Sequence, residues 1–378
     1  MKIAIIYHLD PSHEGKGGAV RYINNLIRYL LKENIDTTLI GAQITEQSFR
    51  HDKFNYIPVI RNSNVWWKYL IALFFKLPFL NLPKDMVIHI HRIEYALPFV
   101  IFCRDNLLIY TIHGTRLATA KNTYPSYAYK IVDKVYFFYE RSIFSRIDKI
   151  IAVSKYVSDS FEKIHPDISN KIRVISVGVN LDEFMDGNKE KMRFKYGFST
   201  YEVIILYAGL LEKRKNLNLL IKSFFIVSSK NKHAKLIIVG EGPEKKLLED
   251  LVDTKGLAEK VVFFGEVKRN ELISLFLCAD MFVLTSFSEG SPNVIKEALA
   301  SGIPVVSTNV GDAREVINSE YLGTIVEGYN EKKFADAMLK TIQFINGKED
   351  LIKNECKNAA KKFSLGRTMR DIIQLYKV

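Results

Sequence analysis

Short runs of branched apolar residues, most of them followed by a stretch with apolar positions at helical spacing, recur along this sequence. Nothing else in it restricts the fold as strongly. Lys2–Tyr7 is the first such run, rich in isoleucine, as suits a strand buried on both faces. A polar loop, His8–Gly18, follows it. Val20, Ile23, Ile27, Leu30 and Leu31 then recur at the spacing of one helix face, and Thr37–Gly41 reads as the next strand. Met86–Ile90, Leu107–Ile112, Ile150–Val153 and Ile172–Val177 continue the strand series, with the longest helical pattern near Tyr127–Phe144. Strand interleaved with helix predicts an α/β fold with a parallel, doubly wound sheet.

The polar stretch Asp182–Ser199 interrupts this alternation, and the linker is placed there. A second series begins after it. Val203–Tyr207, Leu236–Val239, Val261–Phe264, Met281–Leu284 and Pro304–Ser307 read as strands. Leu217–Ser228, Glu244–Thr254, Asn270–Leu277, Asn293–Ala300 and Glu331–Phe344 read as helices. The 378 residues therefore divide into two Rossmann-like domains, residues 1–185 and 186–363, with a C-terminal helix at 364–378 crossing back to the first. Ligands bind at the carboxyl ends of the strands in such sheets, so the expected site is a cleft between two facing domains.

The net charge of +12 suggests an anionic partner. Lys and Arg outnumber Asp and Glu by 24 to 17 over residues 1–185 and by 30 to 25 over residues 186–378. The excess is spread thinly, with no long basic block, which argues against nucleic acid. Cys103, Cys278 and Cys356 are far apart and odd in number, so disulfides and cysteine metal sites are not expected. The start lacks the apolar core of a secretory signal. The most apolar stretch, Tyr69–Leu82, is broken by Lys76, Pro78 and Asn81 and does not read as a membrane span. A cytoplasmic location is expected.

Two loops carry candidate chemistry. Glu14-Gly15-Lys16-Gly17-Gly18 lies between the first strand and helix, where glycines let backbone N–H groups approach an anion at a helix N-terminus. An ordinary flexible turn is the competing reading. The G-x-G-x-x-G and G-x-x-x-x-G-K-[ST] patterns are both absent, which counts against dinucleotide enzymes and P-loop NTPases. The second loop is more specific: Ser288-Glu289-Gly290-Ser291-Pro292-Asn293-Val294-Ile295-Lys296-Glu297, continuing to Pro304. Glu289 falls after the strand Met281–Leu284, Pro292 suits the first turn of a helix, and Glu297 lies one to two turns inside it. Carboxylates accept hydrogen bonds from hydroxyls, so a polyhydroxylated ligand suits the pair. The competing reading is a loop glutamate and a surface helix glutamate.

With these residues in view, the sequence resembles the retaining, GT4-like glycosyltransferases of the GT-B fold. Glu289 and Glu297 match that family's E-x7-E motif. Further pieces follow in the family's order: Gly17-Gly18, Thr111-Ile112-His113-Gly114, Val153-Ser154, Val177-Gly178-Val179-Asn180 with Phe184, Gly209 to Lys215-Asn216, Gly240-Glu241-Gly242-Pro243 and Phe264-Gly265. The likeness spans nearly the whole chain and is stronger in its C-terminal half.

The resemblance implies roles for these positions. Glu297 would bind the ribose of a nucleotide-sugar donor, most commonly a UDP-sugar, and Glu289 the hydroxyls of its sugar. Lys215 would neutralise the diphosphate, with Gly17 and Gly18 closing on it. His113 would sit near the anomeric centre, although a core histidine satisfied by backbone is the alternative when the residue is taken alone. Gly290, Ser291, Pro292, Asn293 and Val294 would lie near the sugar and phosphates, with Gly209 and Gly265 also on the donor side. The implied catalytic set is His113, Glu289 and Lys215, with no cofactor and no metal.

One position departs from the family. Leu210 stands where an arginine commonly accompanies the lysine, and leucine cannot grip phosphate. Lys213 or Arg214 would have to supply that charge.

The acceptor would belong to the N-terminal domain. There Val65-Trp66-Trp67-Lys68-Tyr69-Leu70-Ile71-Ala72-Leu73-Phe74-Phe75-Lys76 mixes aromatic residues with lysines. It suits either an interfacial segment on an anionic bilayer, reaching a lipid-linked acceptor, or a buried helix. Val135-Tyr136-Phe137-Phe138-Tyr139 is expected in the core. The resulting expectation is sugar transfer to a saccharide or lipid-linked acceptor in cell-surface polysaccharide biosynthesis. The alternatives are a UDP-sugar 2-epimerase of the same fold and a degenerate sugar-nucleotide-binding or scaffold protein.

Overall fold

The apolar runs form strands because branched side chains fit an extended, doubly covered surface. The computed structural model describes residues 1–12, 17–44, 52–63, 65–114, 129–185 and 187–377, with residues 129–132 as backbone only. The chain forms two compact units, Met1–Val177 with Thr368–Val378, and Gly178–Arg367. This boundary lies earlier than residue 185, and the returning segment starts later than residue 364.

The first unit holds β1 (Lys2–Ile6), β2 (Asp36–Gln43), β3 (Phe54–Arg61), β4 (Met86–Ile90), β5 (Leu108–Ile112), β6 (Lys149–Ala152) and β7 (Ile172–Val174). They form a 7-stranded sheet in the order β3-β2-β1-β4-β5-β6-β7, with every pairing parallel. The second unit holds β8 (Val203–Ala208), β9 (Ala234–Val239), β10 (Val261–Gly265), β11 (Met281–Leu284), β12 (Val305–Thr308) and β13 (Gly323–Val326). These form a 6-stranded parallel sheet in the order β10-β9-β8-β11-β12-β13. Strand order reverses between β1 and β4 in one sheet and between β8 and β11 in the other. Loops leaving those strands diverge at the reversal and leave room for a ligand.

Two strands escaped the sequence reading, β3 and β13, and both lie at sheet edges. Pro58 inside β3 removes a ladder donor, which an edge can accommodate. β13 is short and begins with Gly323, so it carries little apolar signal. The five helices expected in the second unit appear as Leu217–Lys230, Lys245–Thr254, Arg269–Cys278, Asn293–Ser301 and Glu331–Ile345.

The C-terminal helix Leu365–Tyr376 buries Met369, Ile372 and Tyr376. In the first unit, Lys149 Nζ donates to the Leu375 carbonyl at 2.9 Å and Thr368 Oγ1 to the Ser176 carbonyl at 3.0 Å. No helix among the described residues is long and apolar enough to cross a membrane.

One packing expectation fails. Val135 and Phe138 are exposed, because Tyr129–Arg146 is an amphipathic helix whose covered face is set by Glu140, Ile143 and Phe144 instead.

Candidate functional site

The loops after β8 and β11 meet at the reversal of the second sheet, and their charges meet there too. Lys215 Nζ donates to Glu289 Oε1 at 2.6 Å. Ser286 Oγ donates to the same oxygen at 2.7 Å, and Arg214 Nη1 donates to Glu289 Oε2 at 3.0 Å. Arg214 also bonds the Ser288 carbonyl at 2.7 Å and Glu212 Oε1 at 2.7 Å. The two loops are further stitched by Thr285 Oγ1 to the Lys215 carbonyl at 3.0 Å and by Phe287 N–H to the Arg214 carbonyl at 2.8 Å. Burial pushes the Glu289 carboxyl up, but Lys215, Arg214 and the hydrogen bonds outweigh it and hold the group below its ordinary range. The result is a largely covered carboxylate gripping two cations at the mouth of the sheet. Leu210 is exposed nearby in sequence and offers no charge. Of the two residues weighed as substitutes, Arg214 is the one that stands beside Lys215 on Glu289.

Glu297 lies on the helix Asn293–Ser301 and is 2% exposed. Its Oε1 accepts from Arg269 Nη1 at 2.7 Å. Pro292 stands just ahead of the helix rather than in its first turn, and Asn293 and Val294 open it. The first turn holds no acidic residue, so the helix N-terminus keeps its attraction for anions. Ser291 is not free to turn outward at will: its Oγ donates to Asp312 Oδ2 at 2.8 Å and accepts from Lys296 Nζ at 2.6 Å. Lys296 is fully buried and paired with Asp312 at 2.8 Å, which pins the loop around Gly290. Gly311 packs against that loop so closely that a Cβ there would sit 2.8 Å from the Gly290 carbonyl oxygen.

Gly209 and Gly265 follow or end neighbouring strands and flank Gly240. Gly240, at φ +136°, donates to the Gly265 carbonyl at 2.7 Å, and a Cβ on it would lie 1.9 Å from the Gly209 oxygen. Only glycine permits that approach. The backbone of the Gly209–Leu211 turn is thereby fixed against Gly240–Gly242.

The sequence reading drew the remaining candidates from the first unit. His113 follows β5, and its Nε2 lies 3.1 Å from His91 Nδ1, just after β4. His89, inside β4, bonds the Tyr376 hydroxyl and Thr111 Oγ1, both at 2.6 Å. Burial pushes the His113 ring down to about 4 and the His89 ring to about 3, with the charge on His113 as a second cause for the latter. These rings are neutral at ordinary pH. His113 is half-buried and suits hydrogen bonding rather than proton carriage. Gly17 and Gly18 are exposed at the start of the helix Gly18–Lys32, where Gly17 has φ +109° and the first turn lacks acidic residues. Residues 14–16 of that loop lie outside the described residues.

The helix Trp66–Lys76 presents two different faces. Tyr69 and Leu73 are buried, with the Tyr69 hydroxyl donating to the Ile40 carbonyl at 2.6 Å. Trp66, Trp67, Ile71 and Phe75 are exposed, as are Lys68 and Lys76.

Sequence reasoning missed Arg269, Glu183, Lys296, Asp312, His89 and His91. Arg269 belongs to no motif, and Glu183 lies between Asn180 and Phe184 with no role marked for it. The spacing of His89, His91 and the strand before them was a signal: alternate residues on a buried strand share a face.

Comparison with known proteins gives the family and the fold. The family described as glycosyl transferases group 1 matches residues 188–362, and glycosyltransferase family 4 matches residues 16–183. An uncharacterised glycosyltransferase of Methanocaldococcus jannaschii is 28% identical over 398 residues, covering 100% of this chain and 98% of that protein. The capsular polysaccharide biosynthesis glycosyltransferase CapM of Staphylococcus aureus is 25% identical, covering 100% and 97%. Anabaena HepE in complex with UDP-glucose superposes with a TM-score of 0.77 at 17% identity, covering 99% of each chain, which speaks to the fold alone. The chain belongs to the group 1, GT4-like glycosyltransferases, and its two parallel-sheet domains are those of the GT-B fold.

Proposed function

We propose that this protein moves a sugar from a UDP-sugar to a saccharide or lipid-linked acceptor in building a cell-surface polysaccharide, with retention at the anomeric carbon and without a metal. The observation that carries the reading is the convergence of Lys215 and Arg214 on Glu289 at the carboxyl ends of β8 and β11. In transfer, the bond from the anomeric carbon to the diphosphate oxygen breaks and one to the acceptor oxygen forms. The acceptor's proton leaves with the diphosphate. The diphosphate is already a good leaving group, so the protein's task is to stabilise its departing charge. Lys215 and Arg214 would supply that charge, the lysine with three donors and the arginine with a fixed fork. Glu289 holds both in place and has acceptor capacity for sugar hydroxyls.

Glu297 is assigned to the ribose, and the backbone of Gly290 to Asn293, with Val294, to the sugar and phosphates. Gly209 and Gly265 shape the donor side. In the first unit, Gly17 and Gly18 are assigned to the diphosphate and His113 to the transferred sugar as a neutral hydrogen-bonding ring. The names of CapM and of the HepE complex support the choice of pathway class and of uridine as the base. The exposed face of Trp66–Lys76, aromatic with lysines beside it, is assigned to an anionic membrane surface where a lipid-linked acceptor resides.

The test is a thermal-shift screen of nucleotide sugars, then product analysis with the best donor and Glu297→Ala beside it. A UDP-sugar is expected to raise the melting temperature and yield a product of retained configuration, and Glu297→Ala to abolish donor binding or transfer. Donor turnover without any acceptor would indicate the epimerase. Binding of UDP with no transfer to any acceptor would favour the degenerate reading that Leu210 suggests. Unchanged kinetics in Glu297→Ala would remove the site assignment.

A further inference from the structure

We infer that Arg269 is a positioning residue for nucleotide binding, a guanidinium that orients the Glu297 carboxylate toward the ribose hydroxyls. The inference rests on the ribose assignment of Glu297 made above. Arg269 is the first residue of the helix Arg269–Cys278. Its Nη1 donates to Glu297 Oε1 at 2.7 Å, while Nε and Nη2 both donate to Glu183 Oε2, at 2.8 and 2.6 Å. Its guanidinium also lies over the buried Phe184 ring, 5.5 Å from the centroid. The group is therefore held from three sides and has little rotational freedom to lose when a nucleotide arrives.

The side-chain exposures show why this matters. Glu297 is 2% exposed, whereas Arg269 and Glu183 are each 31% exposed. A carboxylate this deeply buried is costly to leave without an oppositely charged partner, and Arg269 makes that contact. Arg269 pairs with Glu297 at 2.7 Å and fixes the plane of the carboxylate. Glu183 on its far side stops the arginine from turning toward other anions, including the diphosphate. A carboxylate has roughly four acceptor positions, so the bond to Arg269 is compatible with a diol on the same group.

Isothermal titration with UDP, 2′-deoxy-UDP and 3′-deoxy-UDP separates this role from a structural one. The wild-type protein is expected to bind the deoxynucleotides about tenfold to hundredfold more weakly, the effect of losing a charge-assisted hydrogen bond. In Arg269→Gln that ratio is expected to shrink to about threefold or less, because the acceptor is no longer held in one orientation by a charged fork. Arg269→Lys keeps the charge but not the fork and is expected to restore part of the ratio. A residue that merely holds the helix would weaken all three ligands by one factor and leave the ratio alone. An unchanged ratio in a folded Arg269→Gln protein overturns the inference while the ribose assignment survives. Equal affinities in the wild type would overturn the ribose assignment itself. Should Arg269→Gln fail to fold, Glu183→Gln is read in its place: a ratio reduced by several-fold supports the role, and an unchanged one refutes it.

Discussion

The two sheets reverse strand order in the same way, yet they place opposite chemistry at the reversal. In the first, the ends of β4 and β5 carry His89, His91 and His113, packed with Tyr22 and Tyr376 and neutral because burial disfavours their charged forms. In the second, the loops after β8 and β11 carry Lys215, Arg214 and Glu289, drawn together as ion pairs. The backbone frame supplies a place for a ligand in both. What decides the role is whether the side chains brought there can be charged. Under the proposed function, the uncharged ring cluster serves sugar hydroxyls and the paired charges serve a diphosphate.

The sharpest way to break this contrast is by charge removal. Lys215→Ala is expected to lower kcat/KM by about 10²–10³, as loss of a charge-stabilising donor does elsewhere. His113→Ala is expected to cost closer to tenfold, the worth of one neutral hydrogen bond. Equal losses would erase the distinction. Leu210→Arg sharpens the same point: if Arg214 already provides the second charge, the new arginine should change kcat/KM by less than about threefold, whereas Arg214→Leu should cost tenfold or more.

Acid should separate the two units next. His89 and His113 have folded pKa values of about 3 and about 4, below the ordinary 6.5, so the unfolded chain binds more protons between those limits. Their contribution is complete above pH 6.5 and is lost as pH falls toward the folded values, by up to about 1.4 kcal/mol per pH unit for each ring involved. Glu289 is likewise depressed, but from a carboxylate value, so its contribution fades only at lower pH. The chain's two tryptophans, Trp66 and Trp67, both lie in the first unit and make it visible alone. Urea unfolding followed by their fluorescence should weaken from pH 7 to pH 5 more than unfolding followed by circular dichroism, which sees both units. Parallel loss would show that the histidine cluster adds nothing special.

The smallest effect concerns the surface. Replacing Ile71 and Phe75 with aspartate should release the protein from anionic vesicles in a sedimentation assay, with donor affinity unchanged. Wild-type protein that never sediments would end the membrane assignment for Trp66–Lys76.

Much of this was legible in the chain. Strands inside the sheets announced themselves through unbroken branched runs, and the five helices of the second unit through their apolar spacing. The edges were harder to see, since β3 tolerates Pro58 and β13 is short, and neither has apolar cover on both faces to reveal it. Glu289 and Glu297 stood out as a pair by their spacing and by the family motif they match, and Lys215 only through the resemblance. Leu210 was visible as a gap, but not that Arg214 stands beside Lys215 on Glu289.

By itself the sequence determined the α/β class, the parallel winding and the two-domain division. Those properties follow from local periodicity and from glycines where backbones must touch. Tertiary structure alone decided which charges meet. Lys215 and Glu289 are 74 residues apart, Arg269 and Glu297 are 28 apart, and His89 reaches Tyr376 across 287. A hydrogen bond is decided within about 3 Å. The partners that pass that test are set by how the strands are ordered and how the helices return, which no local spacing encodes.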